Sequence, residues 1–136
     1  MTNVTDTRTV TGPVIHGDQR GRELGFPTAN VVLNDATAVD LRDGVWAGSC
    51  DVADGRVIPA AISIGRRPTF YGRVGPRLLE AHLLDFQGDL YDKIVTVRLE
   101  HWIRAQAEFS SKDELIDALT ADVERVRDLA ASETPR

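Results

Sequence analysis

The residue types best suited to chemistry are concentrated in one stretch, His16 to Val31, which reads HGDQRGRELGFPTANV. Its glycines let the backbone turn back on itself and expose N–H groups, as an anion-binding loop requires. Arg20 and Arg22 add positive charge and forked donors that suit phosphate. Thr28 and Asn30 lie two residues apart, so on a strand their oxygens share a face and could hold a phosphate-bound Mg²⁺. The stretch predicts a nucleotide-phosphate site with its metal. The plainer alternative is a mobile surface loop, since neither standard phosphate-binding motif is present.

A second candidate lies in the stretch Arg77 to Phe86, where Glu80 and His82 fall on the same face of a predicted strand. A carboxylate within hydrogen-bond reach of a hydroxyl can act as its general base. Phosphoryl transfer otherwise needs mainly positioning and charge neutralisation. The alternative is that Glu80 is a solvated rim residue, and we interpret His82 as structural.

Three aromatic residues and an arginine could contact a planar ligand. Phe70 lies in a predicted long loop, Gly65 to Pro76, which could close over a substrate or could be a disordered tip. Tyr91 follows a turn and could stack on a base or cap the core. Arg104 and Phe109 lie between the last strand and the helix, where they could bind a ligand or pin the helix to the sheet.

Hydrophobic alternation and turn signals predict six short strands, followed by a helix over Lys112–Ala131. Asp54-Gly55 is a strong hairpin signal, and Ser111 with Glu114 forms a predicted capping box at the start of the helix. This order favours a mainly β fold, an antiparallel barrel with one C-terminal α-helix packed against it. The predicted strands are Thr9–Ile15, Ala29–Leu33, Gly44–Val52, Arg56–Ile64, Arg77–Phe86 and Lys93–Ile103.

The length of 136 residues is that of one domain. We place a flexible N-terminal tail over residues 1–9 and the folded domain over 10–131. The net charge of −5 argues against nucleic acid or an anionic membrane as the main partner. The polar N-terminus and the lack of a long apolar run predict a cytoplasmic protein, which we expect to be monomeric. Cys50 is expected to be a small buried apolar residue, with a reactive thiol as the alternative.

Four motifs, in order along the chain, resemble those of the riboflavin kinase (flavokinase) family. The first, G-R-x-L-G-F-P-T-A-N, is highly specific to that family and covers Gly21 to Asn30. The others read IGRRPTF, LLEAHLLDFQGDLY and IRAQAEFSSKDELIDAL, and the resemblance extends over about Val10 to Arg127. It implies a six-stranded Greek-key barrel with a C-terminal helix, similar to the C-terminal domain of bacterial bifunctional riboflavin kinase/FAD synthetases. No FAD synthetase domain is expected within this chain.

The resemblance also implies roles for individual residues. Glu80 matches the family's catalytic base, which takes the proton from the terminal ribityl hydroxyl of riboflavin. Thr28 and Asn30 match the positions that hold Mg²⁺ and the nucleotide phosphates. The implied flavin-binding residues are Arg104, Phe70 and Phe109. The implied nucleotide-binding residues are Gly17, Arg20, Gly21, Arg22, Gly25, Pro27, Thr28, Asn30 and Tyr91.

The implied activity is transfer of the ATP γ-phosphoryl group to riboflavin, giving FMN and ADP. Gln106 stands where Glu is common in the family, which removes a charge near the flavin end, and Trp46 replaces a usual Tyr. Two alternatives stay open. The expectation of a kinase domain that stands alone leaves open a flavin-binding or regulatory module without catalysis, and Gln106 with Trp46 leave open a kinase for a riboflavin analogue.

Overall fold

The computed structural model describes residues 8–15, 25–34, 41–52, 54–68 and 74–133. Within these ranges the chain forms six strands and one helix, which confirms the predicted elements. The strands are β1 (Arg8–Pro13), β2 (Ala29–Val32), β3 (Gly44–Asp51), β4 (Val57–Pro68), β5 (Val74–Leu83) and β6 (Ile94–Arg104), and the helix is α1 (Lys112–Glu133).

All strand pairs are antiparallel, and the order across the sheet is β1-β6-β3-β4-β5-β2. Because β6 returns to lie beside β3 after the consecutive hairpins β3-β4-β5, the topology is a Greek key. The two ends of the sheet meet at a single bridge, in which the Ile15 N–H donates to the Asn30 carbonyl oxygen at 2.8 Å. The predicted Greek-key barrel is confirmed, in a nearly closed form.

The barrel interior is filled by alternate residues of each strand, as the period of two requires. Ile62, Leu79, Ala81 and Val97 are fully buried in it. Cys50 is also fully buried, and burial, helped by the neighbouring Asp51 charge, raises the pKa of its thiol from 9.0 to about 11. The expectation of a small buried apolar residue is therefore confirmed, since a protonated, enclosed thiol is a poor nucleophile.

The hairpin between β3 and β4 follows the predicted Asp54-Gly55 turn, where Gly55 has a φ of +91°. Further along β3, Gly48 is required by close packing. A Cβ at this position would clash with the backbone carbonyl oxygen of Arg98 on β6. A side chain there would force the two strands apart, next to a register shift in their pairing.

The prediction of a long loop over Gly65 to Pro76 is wrong at both ends. Strand β4 continues to Pro68 and β5 already begins at Val74, with Gly65 opposite Leu78 and Pro68 opposite Val74. Glycine and proline were interpreted as turn signals, but pairing with the facing strand overrides that local preference. Similarly, β1 begins at Arg8, so the last two residues of the predicted N-terminal tail belong to the sheet.

Helix α1 packs on the outside of the barrel. Val126 is buried against Ala47 and Leu84, and Val123 and Leu129 extend this contact at helical spacing. Within the described residues, the helix does not combine the length and apolar character needed to cross a membrane.

The helix start differs in one detail from the predicted capping box. The Ser111 hydroxyl accepts the Glu114 N–H at 3.1 Å, as predicted. The Glu114 carboxylate, however, accepts the N–H and hydroxyl of Ser110, at 3.0 and 2.8 Å, instead of reaching back to Ser111. These bonds hold the pKa of Glu114 below its usual value and fix the segment that leads into the helix.

Candidate active site

The register of three strands brings the predicted catalytic and phosphate-binding residues together. Asn30 on β2 lies directly opposite Glu80 on β5, and Glu80 lies directly opposite Ser63 on β4. Directly opposed residues of antiparallel strands share a face, with Cβ atoms about 4.5–5.5 Å apart. The neighbours of Asn30 and Glu80 along each strand point into the core, so this row faces outward, towards α1.

Thr28 and Asn30 present two oxygens side by side. The Thr28 hydroxyl donates to the Asn30 side-chain oxygen at 2.9 Å, which confirms that both side chains lie on one side of the chain. Asn30 is only 5% exposed. Hydroxyl and amide oxygens next to the Glu80 carboxylate form a hard-oxygen donor set that fits Mg²⁺ once phosphate oxygens complete it. Among the described residues, no cluster of three His, Cys, Asp or Glu side chains could hold a metal unaided.

The row opens onto a cleft of about 1020 Å³ between the sheet and the helix start. Thr28, Glu80 and Ser63 lie on its sheet side, and Phe109 with the rest of residues 106–112 lies on the helix side. Its size is at the upper end of ligand pockets, which suits a ligand of several rings and a chain.

A smaller cavity of about 70 Å³ adjoins the other side of Thr28. It is lined by Pro27 and by the turn that carries Tyr91, whose N–H donates to the Asp89 carboxylate at 2.8 Å. The Tyr91 side chain also packs against the barrel core. Thr28 therefore lies at the junction of two spaces, one large and one narrow.

Arg104 lines the cleft, but its guanidinium is largely engaged within the protein. It makes two bonds to the Asp122 carboxylate, at 3.0 and 2.7 Å, and a third to the Ala105 carbonyl at 3.2 Å. Asp122 is 5% exposed, so this pair joins the end of β6 firmly to the middle of α1. The Arg104 guanidinium also lies 5.8 Å from the centre of the Phe109 ring. The pair positions the cleft wall that carries Phe109.

Gln106, which stands where Glu is common in the family, makes hydrogen bonds that its lack of charge did not predict. Its side-chain amide donates to the Ser63 hydroxyl at 2.8 Å and to the Ile64 carbonyl at 3.0 Å. These two bonds fasten the segment after β6 to the floor of the cleft. Trp46, the other departure, packs against the barrel core and is not part of the cleft lining.

His82, which the sequence analysis interpreted as structural, makes two contacts that the sequence did not predict. It lines the cleft two residues from Glu80 on β5, and its Nδ1 lies 2.8 Å from the carbonyl oxygen of Pro27. The Phe26 ring meets it edge to face, with ring centres 5.4 Å apart. The alternation along the strand correctly placed His82 on the same face as Glu80, but nothing in the sequence identified the Pro27 carbonyl as its hydrogen-bond partner.

Part of the predicted site lies outside the described residues, namely Gly17, Arg20, Gly21, Arg22 and Phe70. Their roles stay predictions. Gly25, at the start of the next described range, is exposed and has a φ of +90°, a backbone conformation that favours glycine.

Comparison with known proteins agrees with this arrangement. The family model described as "Flavokinase: Riboflavin kinase" matches residues 5–130 of the chain. The chain belongs to the riboflavin kinase family. The resemblance found in the four motifs is thereby confirmed over almost the whole sequence.

Relatives and solved structures fit the same family. The bifunctional riboflavin kinase/FMN adenylyltransferase of Pseudomonas fluorescens is 44% identical over 127 residues, which cover 93% of this chain and 40% of the relative. The riboflavin kinase structure from Trypanosoma brucei aligns with a TM-score of 0.67 at 27% identity, covering 93% of this chain and 82% of that one.

A structure described as a macrolide-efflux protein from Streptococcus pneumoniae aligns with a TM-score of 0.72 at 35% identity, covering 88% of this chain and 38% of that one. The chain spans about 40% or less of the length of the curated riboflavin kinase/FMN adenylyltransferases that it matches.

Proposed function

We propose that this chain is a riboflavin kinase, which transfers the γ-phosphoryl group of Mg·ATP to the ribityl 5′-hydroxyl of riboflavin and releases FMN and ADP. The observation that carries the proposal is the register that sets Glu80, which lines the large cleft, opposite Asn30, whose side-chain oxygen accepts a hydrogen bond from Thr28 at the junction of the two cavities. A carboxylate base and phosphate-binding oxygens are neighbours there, as phosphoryl transfer to a hydroxyl requires.

In the proposed reaction, riboflavin occupies the large cleft with its ribityl end towards Glu80. Glu80 accepts the proton of the 5′-hydroxyl while that oxygen forms a bond to the γ-phosphorus. The bond between the γ-phosphorus and the β,γ-bridging oxygen breaks, and ADP leaves with the electron pair. The flavin ring would lie towards Phe109, because this aromatic ring lines the helix side of the cleft and that side is braced by the Arg104–Asp122 pair.

Thr28 and Asn30 would hold the metal ion and the nucleotide phosphates, with the remaining nucleotide towards Pro27 and Tyr91. When bound, Mg²⁺ neutralises part of the phosphate charge. The family is associated with ATP and a divalent metal, and our proposal names Mg²⁺ because the available ligands are uncharged or carboxylate oxygens. We also propose a cytoplasmic monomer that binds neither nucleic acid nor membrane, in keeping with the net charge of −5.

The deciding experiment incubates the purified protein with riboflavin, ATP and Mg²⁺ and follows FMN and ADP by chromatography, with EDTA as the control. We expect equal amounts of FMN and ADP, both lost with EDTA. Riboflavin fluorescence that is quenched on binding, without FMN, would overturn the proposal in favour of a binding module. Turnover of a ring-modified analogue in preference to riboflavin would favour the analogue kinase.

A further inference from the structure

The position of Thr28 depends on a short segment outside the sheet. Strand β2 begins at Ala29, so Thr28 lies just before the strand that carries Asn30. The residue before it, Pro27, has no N–H, so its carbonyl is the one backbone group of Pro27 that can anchor it by hydrogen bonding. A group that binds the Pro27 carbonyl therefore helps to position the next residue, Thr28, beside Asn30.

His82 supplies this anchor from the neighbouring strand. Its Nδ1 lies 2.8 Å from the Pro27 carbonyl oxygen. Since a carbonyl only accepts, the geometry assigns the proton to Nδ1. The edge-to-face contact with Phe26 holds the same ring from a second direction. His82 is half-buried, and its bond to the Pro27 carbonyl lies on the exposed side of the ring.

We propose that His82 is a positioning residue, which holds the Pro27–Thr28 peptide so that the Thr28 hydroxyl meets the nucleotide phosphates. The inference rests on the proposed function. Because Glu80 and His82 share one face of β5, this strand sets the position of the base directly and that of Thr28 through the Pro27 carbonyl. The distance between the proposed base and the Thr28 hydroxyl is thus set by two residues of a single strand, Glu80 and His82, that lie one repeat of the pleat apart.

The test uses the two amide replacements of histidine. In His82→Asn the side-chain nitrogen falls near the place of Nδ1, whereas in His82→Gln it falls near Nε2. We expect Mg·ADP binding, measured by calorimetry, to weaken about tenfold in His82→Ala and His82→Gln, the effect of one lost hydrogen bond. His82→Asn should stay within about threefold of the unchanged protein by the same scale. Riboflavin binding should stay within about twofold in all three, since a small ΔΔG is expected where no contact is lost.

His101→Asn, on β6 and away from the row, serves as the matched control and should bind Mg·ADP normally. Thermal melting of each variant separates loss of position from loss of fold. Nitrogen-15 NMR of the imidazole, recorded without any ligand, should show the proton on Nδ1 of His82. A proton on Nε2, or equal binding by the Asn, Gln and Ala variants, would overturn the inference.

The outcomes also separate the two proposals. If the protein makes no FMN but the variants show the expected order in Mg·ADP binding, the kinase proposal fails and the role of His82 stands. If FMN is made and the order is absent, the role of His82 fails alone. Failure of the unchanged protein to bind Mg·ADP would overturn both.

Discussion

Among single residues, Glu80 shows how pairing decides chemistry. A shift of one residue in the register of β5 would turn the Glu80 carboxylate into the apolar barrel interior, because every side chain of the strand would change face. In the observed register it lies opposite Asn30 and beside the cleft. Its position, more than its residue type, makes it a candidate base.

Replacing Glu80 with Gln tests this directly. The amide keeps the shape but cannot accept the proton, so we expect kcat for FMN formation to fall by about 10²–10⁴. Riboflavin binding, followed by fluorescence quenching, should change little. Glu124→Gln on the exposed face of α1 makes the same chemical change away from the cleft and should leave kcat unaltered. Full activity in Glu80→Gln would remove it from the mechanism.

Cys50 makes a second prediction at this scale. Its pKa is raised to about 11 in the folded protein, so between pH 9 and 11 the unfolded chain loses the thiol proton first. The free energy of unfolding must therefore fall as pH rises through this window, by roughly 2–3 kcal/mol for a shift of this size.

Cys50→Ala provides the comparison, because all other groups titrate equally in both proteins. Urea unfolding at pH 8, 9, 10 and 11 should show a steeper alkaline decline for the unchanged protein. Parallel curves would show that the buried thiol does not contribute.

At the scale of elements, the two sides of the cleft are held in different ways. The sheet side is fixed by strand pairing. The opposite side is an irregular segment between β6 and α1, held by the Arg104–Asp122 pair, by Gln106 and by the bonds at the helix start. The width of the cleft therefore depends on a few polar contacts.

Gln106→Glu should loosen this wall. A carboxylate cannot donate to the Ile64 carbonyl and would repel it, whereas the bond to Ser63 can survive because the hydroxyl can donate. We expect KM for riboflavin to rise about tenfold and KM for ATP to stay nearly constant, on the scale of one lost hydrogen bond. Gln87→Glu in an exposed turn introduces the same charge. An equal effect of both variants would point to charge in general, not to the tether.

The elements also show what the sequence could predict. Alternation, Asp54-Gly55 and the helical spacing of Leu115, Leu119, Val123 and Val126 located the strands, the turn and the helix, since each signal is local. The extension of β4 to Pro68 was missed because its cause is the facing strand. The contacts of His82 and Gln106 were missed for a related reason. Both side chains bind backbone carbonyls, and because every residue has a backbone carbonyl, no residue type in the sequence marks the partner.

At the scale of the whole molecule, the site lies where the sheet comes closest to being open. Within the described residues, five strand pairs form ladders, two of them with register shifts, whereas β1 and β2 meet at the bridge between Ile15 and Asn30. Residues 16–29, which include the predicted phosphate-binding loop, connect the two partners of this bridge in the sequence. In the proposed function, ligand binding and barrel closure would therefore involve the same segment of the chain.

The backbone carbonyl of Asn30 accepts the hydrogen bond that links β1 to β2, and its side chain is proposed to bind the nucleotide phosphates. A nucleotide that immobilises this side chain should therefore also slow the opening of the Ile15–Asn30 bridge. Amide hydrogen exchange at Ile15 becomes a gauge of site occupancy. With Mg·ADP at a hundred times its Kd, its exchange should slow by up to about a hundredfold if opening expels the ligand. Amides in the middle of β4 should slow less. Equal exchange rates of the Ile15 amide with and without nucleotide would mean that the Ile15–Asn30 bridge opens while the ligand stays bound.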